Sequence, residues 1–151
     1  MNEKFRVWDD VNKKLIYVDV EGLSSEGTYK QNFLIIDNLG WSLWYINANE
    51  RILVCNHKNP KNKLLKCSGN FYEGDIIKGD YSWWYIVRYG NASIDSGEGW
   101  YLNYVGFYLD EVSGVRKHFL KKHPKQSILK WNKDYEYIGN IFENPEKVKG
   151  I

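Results

Sequence analysis

Residues 72–89, "YEGDIIKGDYSWWYIVRY", decide how this chain folds. Two Gly-Asp pairs punctuate the stretch, and glycine followed by a short acidic side chain favours tight turns. Between and after them run β-branched and aromatic residues, the types that suit a pleated, half-buried surface. In 82–89 the alternation puts Trp83, Tyr85, Val87 and Tyr89 on one face and Ser82, Trp84, Ile86 and Arg88 on the other. Neither face is polar, so this strand is expected to be covered on both sides or to meet another subunit.

The flanking sequence has the same character. "KFRVWD" (4–9) and "KLIYVDV" (14–20) read as a hairpin across "DVNK", with Asn12 as the turn residue. "NFLIID" (32–37) and "WSLWYIN" (41–47) are joined by "NLG", with glycine where positive φ is most often needed. "RILVCN" (51–56) is a further strand, and 57–70 reads as a polar loop in which "KNKLLKC" has the composition for one helical turn. Residues 90–99, "GNASIDSGEG", read as an acidic loop. "WYLNYVGFYLDEV" (100–112) alternates again, with Gly106 at a bulge or sharp bend. A short basic helix is expected at 116–123, two closing strands at 127–131 and 135–142 with Asn132 to Asp134 turning between them, and a capped end at Asn144-Pro145.

Seven Trp, twelve Tyr and six Phe in 151 residues strengthen the β reading. The expected class is mainly β, short strands and hairpins with few short helices, in an N-terminal hairpin subdomain (1–70) and a C-terminal subdomain (71–151). At this length a core forms without disulfide or metal staples. No secretory signal or membrane-spanning run is recognised, so a cytoplasmic protein with reduced Cys55 and Cys67 is expected.

The net charge of +2 conceals segregation. Residues 51–72 carry five bases and no acid, 73–111 seven acids and two bases, and 112–133 seven bases and no acid. Blocks of this kind line one face, or neutralise one another across a subunit contact. In the last block Arg116, Lys117, Lys121, Lys122, Lys125 and Lys130 are interleaved with Phe119 and Trp131. Cations on phosphates with aromatic stacking on bases is how small β-barrels hold single strands. The other reading is a solvated basic segment complementing the acidic 90–99 loop. Lys58, Lys61, Lys63 and Lys66 are candidates to extend a nucleic-acid surface.

Enzymatic patterns are weak. Cys55, His57, Cys67, His118 and His123 lack the paired close spacing of structural zinc sites. Glu73 and Asp75, like Asp95 and Glu98, are candidate carboxylate pairs, but Asp75 follows Gly74 in an evident structural turn. No nucleophile elbow, zincin helix or phosphate loop occurs. No catalytic residue, metal or cofactor is assigned; a small-molecule or metal-dependent enzyme is the second alternative after nucleic-acid binding.

Three blocks, "KFRVWDDVNKKLIYVD" (4–19), "YEGDIIK" (72–78) and "YEYIGNIFENPE" (135–146), together resemble the YopX family of phage and prophage proteins, in order and over nearly the whole chain. The approach to the central block, "NHKNPKNKLLKCSGN" (56–70), departs from the family's glycine-rich pattern. The resemblance implies a mainly β fold with a small Src-homology-3-like barrel in the C-terminal part. It also implies an accessory protein of temperate phages of Gram-positive hosts, and no catalytic residues. The combined expectation is a non-enzymatic binding or assembly protein, homo-oligomeric, engaging a host protein or nucleic acid and no membrane.

Overall fold

The computed structural model describes residues 4–19, 30–79, 83–95, 98–112 and 126–148. The chain divides into two compact units, Met1–Asn70 and Phe71–Ile151. Antiparallel sheet dominates both, and the one helix among the described residues is a single 3-10 turn.

In the first unit, β1 (Lys4–Asp9) lies between β2 (Lys14–Asp19) and β6 (Lys63–Lys66). A second sheet is a meander of β3 (Lys30–Asp37), β4 (Gly40–Asn47) and β5 (Glu50–Asn56). The two sheets pack face to face: Phe5, Val7 and Val18 from one meet Leu34, Leu43 and Cys55 from the other, all buried. Each fully buried aliphatic side chain contributes about 1.5–3 kcal/mol relative to exposure.

The turns are fixed by local hydrogen bonds. Asp9, 1% exposed, accepts from the backbone N–H groups of Val11 and Asn12 and from Asn12 Nδ2 at 2.7 Å. The Asn12 side chain is thereby engaged, and the positive φ of the β1–β2 turn falls on Lys13 (φ 55°), not on Asn12. Gly40 has φ 133° and opens β4 against the His57 ring, which leaves no room for a Cβ. Buried Asn62 joins the 57–62 loop to the first hairpin, accepting from Asp10 N at 2.9 Å and donating to Asn56 O at 3.1 Å. "KLLK" is strand β6 and not a helical turn, because its leucines face opposite ways: Leu64 packs on the core and Leu65 is buried opposite Arg6.

The second unit holds one five-stranded sheet, in the order β10 (Gln126–Ile128), β9 (Tyr101–Glu111), β8 (Trp84–Asp95), β7 (Asp75–Lys78) and β11 (Glu136–Asn140). Ile77, Val87 and Leu109 form its buried centre, with Phe71, Tyr85, Phe107, Leu129 and Tyr135 packed around them. Three expectations change. Strand β8 continues through Gly90 to Asp95, so residues 90–95 are strand and not loop. The closing segments are not each other's partners: β10 pairs with β9, and β11 pairs with β7 at the far edge. The mainly β class stands, but the small barrel is not closed; among the described residues no ladder joins β10 to β11. These edge strands have only three and five residues and sit at opposite ends of the order.

A side-chain hydrogen bond links β8 to β10. Ser93 N on β8 donates to Gln126 Oε1 on β10 at 2.9 Å, across the intervening β9. Gln126 Nε2 donates to Asp110 Oδ1 at 3.0 Å, and Arg88 Nε donates to Asp110 Oδ2 at 3.2 Å. The curl that permits this lies at the cross-strand pair Gly90–Gly106, with φ of 141° and 149°. The ladder keeps its register through the pair, so Gly106 marks a bend and not a bulge.

Candidate ligand cleft and docking surface

The curled sheet borders an open cleft of about 340 Å3, lined by Tyr85, Ile94, Leu109, Ser127, Ile128, Lys130, Lys133 and Tyr135. Strand alternation places Ile94 on the face opposite Tyr85, and the bend at the glycine pair brings it to the same cleft. The Tyr85 and Tyr135 rings close over Gly79, where a Cβ would stand 2.9 Å from Tyr85 Cε2 and 3.6 Å from Tyr135. Tyr135 packs edge-on against Phe71, with ring centroids 6.0 Å apart, and its hydroxyl accepts from Lys130 N at 3.3 Å. The turn carrying both lysines is thus tied to an oriented ring. Lys133 Nζ lies 5.9 Å from the Tyr135 centroid. No carboxylate belongs to the lining.

Trp131, between the two lysines, is 89% exposed. Of the basic segment named from sequence, Lys130 and Trp131 fall here; Arg116, Lys117, Lys121, Lys122 and Lys125 lie outside the described residues. Sequence reasoning missed Lys133 and the two tyrosines; the Lys-x-x-Lys spacing around an exposed tryptophan was the available signal. Lys58, Lys61, Lys63 and Lys66 are exposed on the first unit.

A second surface lies on the far half of the β8–β9 hairpin. Trp100, Tyr101, Leu102 and Val105 are 52%, 68%, 48% and 69% exposed. Tyr101 and Val105 share one face of β9, and Leu102 alternates to the other. Soluble proteins rarely expose large apolar side chains in such a run without a use for them.

The other candidate groups serve the fold. Gly74 (φ 90°) lies under the Phe142 ring, its N–H donates to Val87 O at 2.7 Å, and its carbonyl accepts from Ile141 N at 2.9 Å. Asp75, 3% exposed, accepts from Tyr72 N at 2.8 Å. Buried Asn140 secures the next turn, its Oδ1 accepting from Phe142 N and Glu143 N. Residues 72–78 and 135–146 therefore bind each other, which explains why they read together as a signature. Both cysteines are free; Cys55 is in the core, where burial and nearby Asp9 push its thiol up to about 11. Among the described residues, no three His, Cys, Asp or Glu side chains gather to hold a metal ion. Nor is any described helix long and apolar enough to cross a membrane.

A family model described as "YopX protein" matches residues 4–149. The chain belongs to the YopX family. Its structure is similar to the crystal structure of protein YopX from Bacillus subtilis, with a TM-score of 0.57 and 19% identity, covering 100% of this chain and 99% of that one. At that identity the similarity speaks for a shared fold. No curated protein matches the chain.

Proposed function

We propose that this YopX-family chain is a non-enzymatic binding and assembly protein. It is encoded by a phage or prophage, acts in the cytoplasm of the bacterial host, and associates with copies of itself through the far half of β8–β9. The observation carrying this reading is the exposed run of Trp100, Tyr101, Leu102 and Val105 at the far end of one long hairpin. A second copy is the favoured occupant because the chain holds blocks of opposite charge: −5 over residues 73–111, which include this hairpin, and +7 over residues 112–133. Such blocks attract between copies and set their register.

Val105→Lys tests the surface, since Val105 is 69% exposed and contributes little to the fold. Sedimentation velocity should show the associated species lost while circular dichroism is unchanged. Unaltered sedimentation removes this hairpin from the interface.

Single-stranded nucleic acid is the second reading, favoured by the exposure of Trp131 between Lys130 and Lys133. Binding would weaken with salt at a log–log slope of about −0.7 per phosphate neutralised. Lys121→Glu with Lys122→Glu should then abolish it; salt-independent or unchanged binding rules the reading out.

A further inference from the structure

We infer that the outer edge of β9 joins two copies of the chain by antiparallel strand pairing centred on Tyr104. The inference rests on the self-association reading and names how that hairpin is engaged, which is through its main chain. Strand β10 covers β9 only at Tyr108, Leu109 and Asp110; among the described residues, no strand lies beside Tyr101 to Phe107 on the side away from β8. The phase of the hydrogen bonds fixes which groups this leaves open. Val87 O accepts from Gly74 N at 2.7 Å and Ser93 N donates to Gln126 Oε1 at 2.9 Å, so neither is spent on its β9 partner, Leu109 or Asn103. In an antiparallel ladder, pairs of that kind alternate with pairs that bond each other. The register runs unbroken from Tyr85–Glu111 to Asp95–Tyr101, so Tyr101, Asn103, Val105 and Phe107 share the phase of Leu109. Their N–H and C=O groups point out of the hairpin, while those of Leu102, Tyr104 and Gly106 point to β8.

Natural edge strands are blunted by charge, proline or a bulge. Residues 101–107 carry no charged side chain and no proline, and their ladder shows no bulge. The side chains of Tyr101, Asn103 and Val105 are exposed on one face and that of Leu102 on the other, so neither face is covered at this edge. A second copy is the occupant because a two-fold axis sets the segment against itself. A charged edge would meet its own charge there, and this one meets none. Centring on Tyr104 opposes Asn103 to Val105 of the second copy. Both have outward main-chain groups, so the phases match and each such pair exchanges both hydrogen bonds. Tyr101 likewise opposes Phe107 of the second copy, an aromatic cross-strand pair.

Amide hydrogen exchange of the full chain, read residue by residue by NMR, tests the pairing. It is run at an associating concentration and after dilution, with light scattering reporting the mass of each sample. The N–H groups of Tyr101, Asn103 and Val105 should gain about tenfold or more protection on association, whereas those of Leu102 and Tyr104 are protected in both samples. Val105→Pro removes one outward N–H and no bond to β8. It should abolish association while the Leu102 and Tyr104 amides stay protected. Association with edge amides that exchange equally fast in both samples overturns strand pairing and leaves side-chain docking of the hairpin standing. So does a Val105→Pro variant that associates as before while Val105→Lys does not. A single chain at every concentration, or association that survives Val105→Lys, overturns the self-association reading and the pairing with it.

Discussion

Gly90 and Gly106 face each other across the β8–β9 ladder, with φ of 141° and 149°, values that side-chain-bearing residues rarely adopt. The paired glycines let a continuous hairpin fold back without losing register. The bend brings Ser93 within 2.9 Å of Gln126 and places Ile94 in the cleft.

Gly106→Ala should therefore destabilise the second unit by about 1–3 kcal/mol, the cost of holding a side-chain-bearing residue in a sparsely populated conformation. A Cβ there would also stand 2.8 Å from the Tyr104 hydroxyl, whereas none of the surrounding atoms crowds one at Gly90. Urea unfolding should rank Gly106→Ala as at least as costly as Gly90→Ala. A neutral Gly106→Ala would show that the bend does not depend on glycine.

The joint between residues 72–78 and 135–146 gives a second comparison. Gly74→Ala brings a Cβ into the Phe142 ring at φ 90° and should be the more damaging change. Asp75→Asn keeps an acceptor for Tyr72 N and should be milder than Asp75→Ala, which leaves that donor without its carboxylate at a cost of about 1–3 kcal/mol. Thermal unfolding of the three variants checks the order.

Much of the fold was legible because it is local. The hairpins 4–19 and 32–47 follow from alternation and turn residues close in sequence, and Pro145 opens a 3-10 turn as its position predicts. Asn144, by contrast, makes no side-chain cap there, and its Oδ1 accepts from Asn140 N. What sequence left hidden depends on distant partners. The destinations of β10 and β11 are set by strands that local periodicity does not identify. Gly90 reads as a loop residue unless its cross-strand partner is known. The cleft was invisible for the same reason: Tyr85, Ile94, Leu109 and Tyr135 are ordinary core or strand residues until the bend gathers them.

The two thiols should behave differently. Cys55 is 8% exposed with its pKa raised to about 11, and Cys67 is partly exposed. A disulfide-exchange reagent at neutral pH should modify Cys67 first and Cys55 only on unfolding. The raised native pKa means that the unfolded chain loses the Cys55 proton first. This contribution to stability is complete below the thiol's usual 9 and declines as pH rises towards 11. Cys55→Ala should flatten that alkaline decline in a pH series of urea melts; an identical decline assigns it to other groups.

Self-association through the β8–β9 hairpin is tested most directly by multi-angle light scattering across a concentration series at low salt. The account predicts a mass at a whole multiple of 17.9 kDa that shifts towards one chain on dilution. A mass of one chain at every concentration would contradict it.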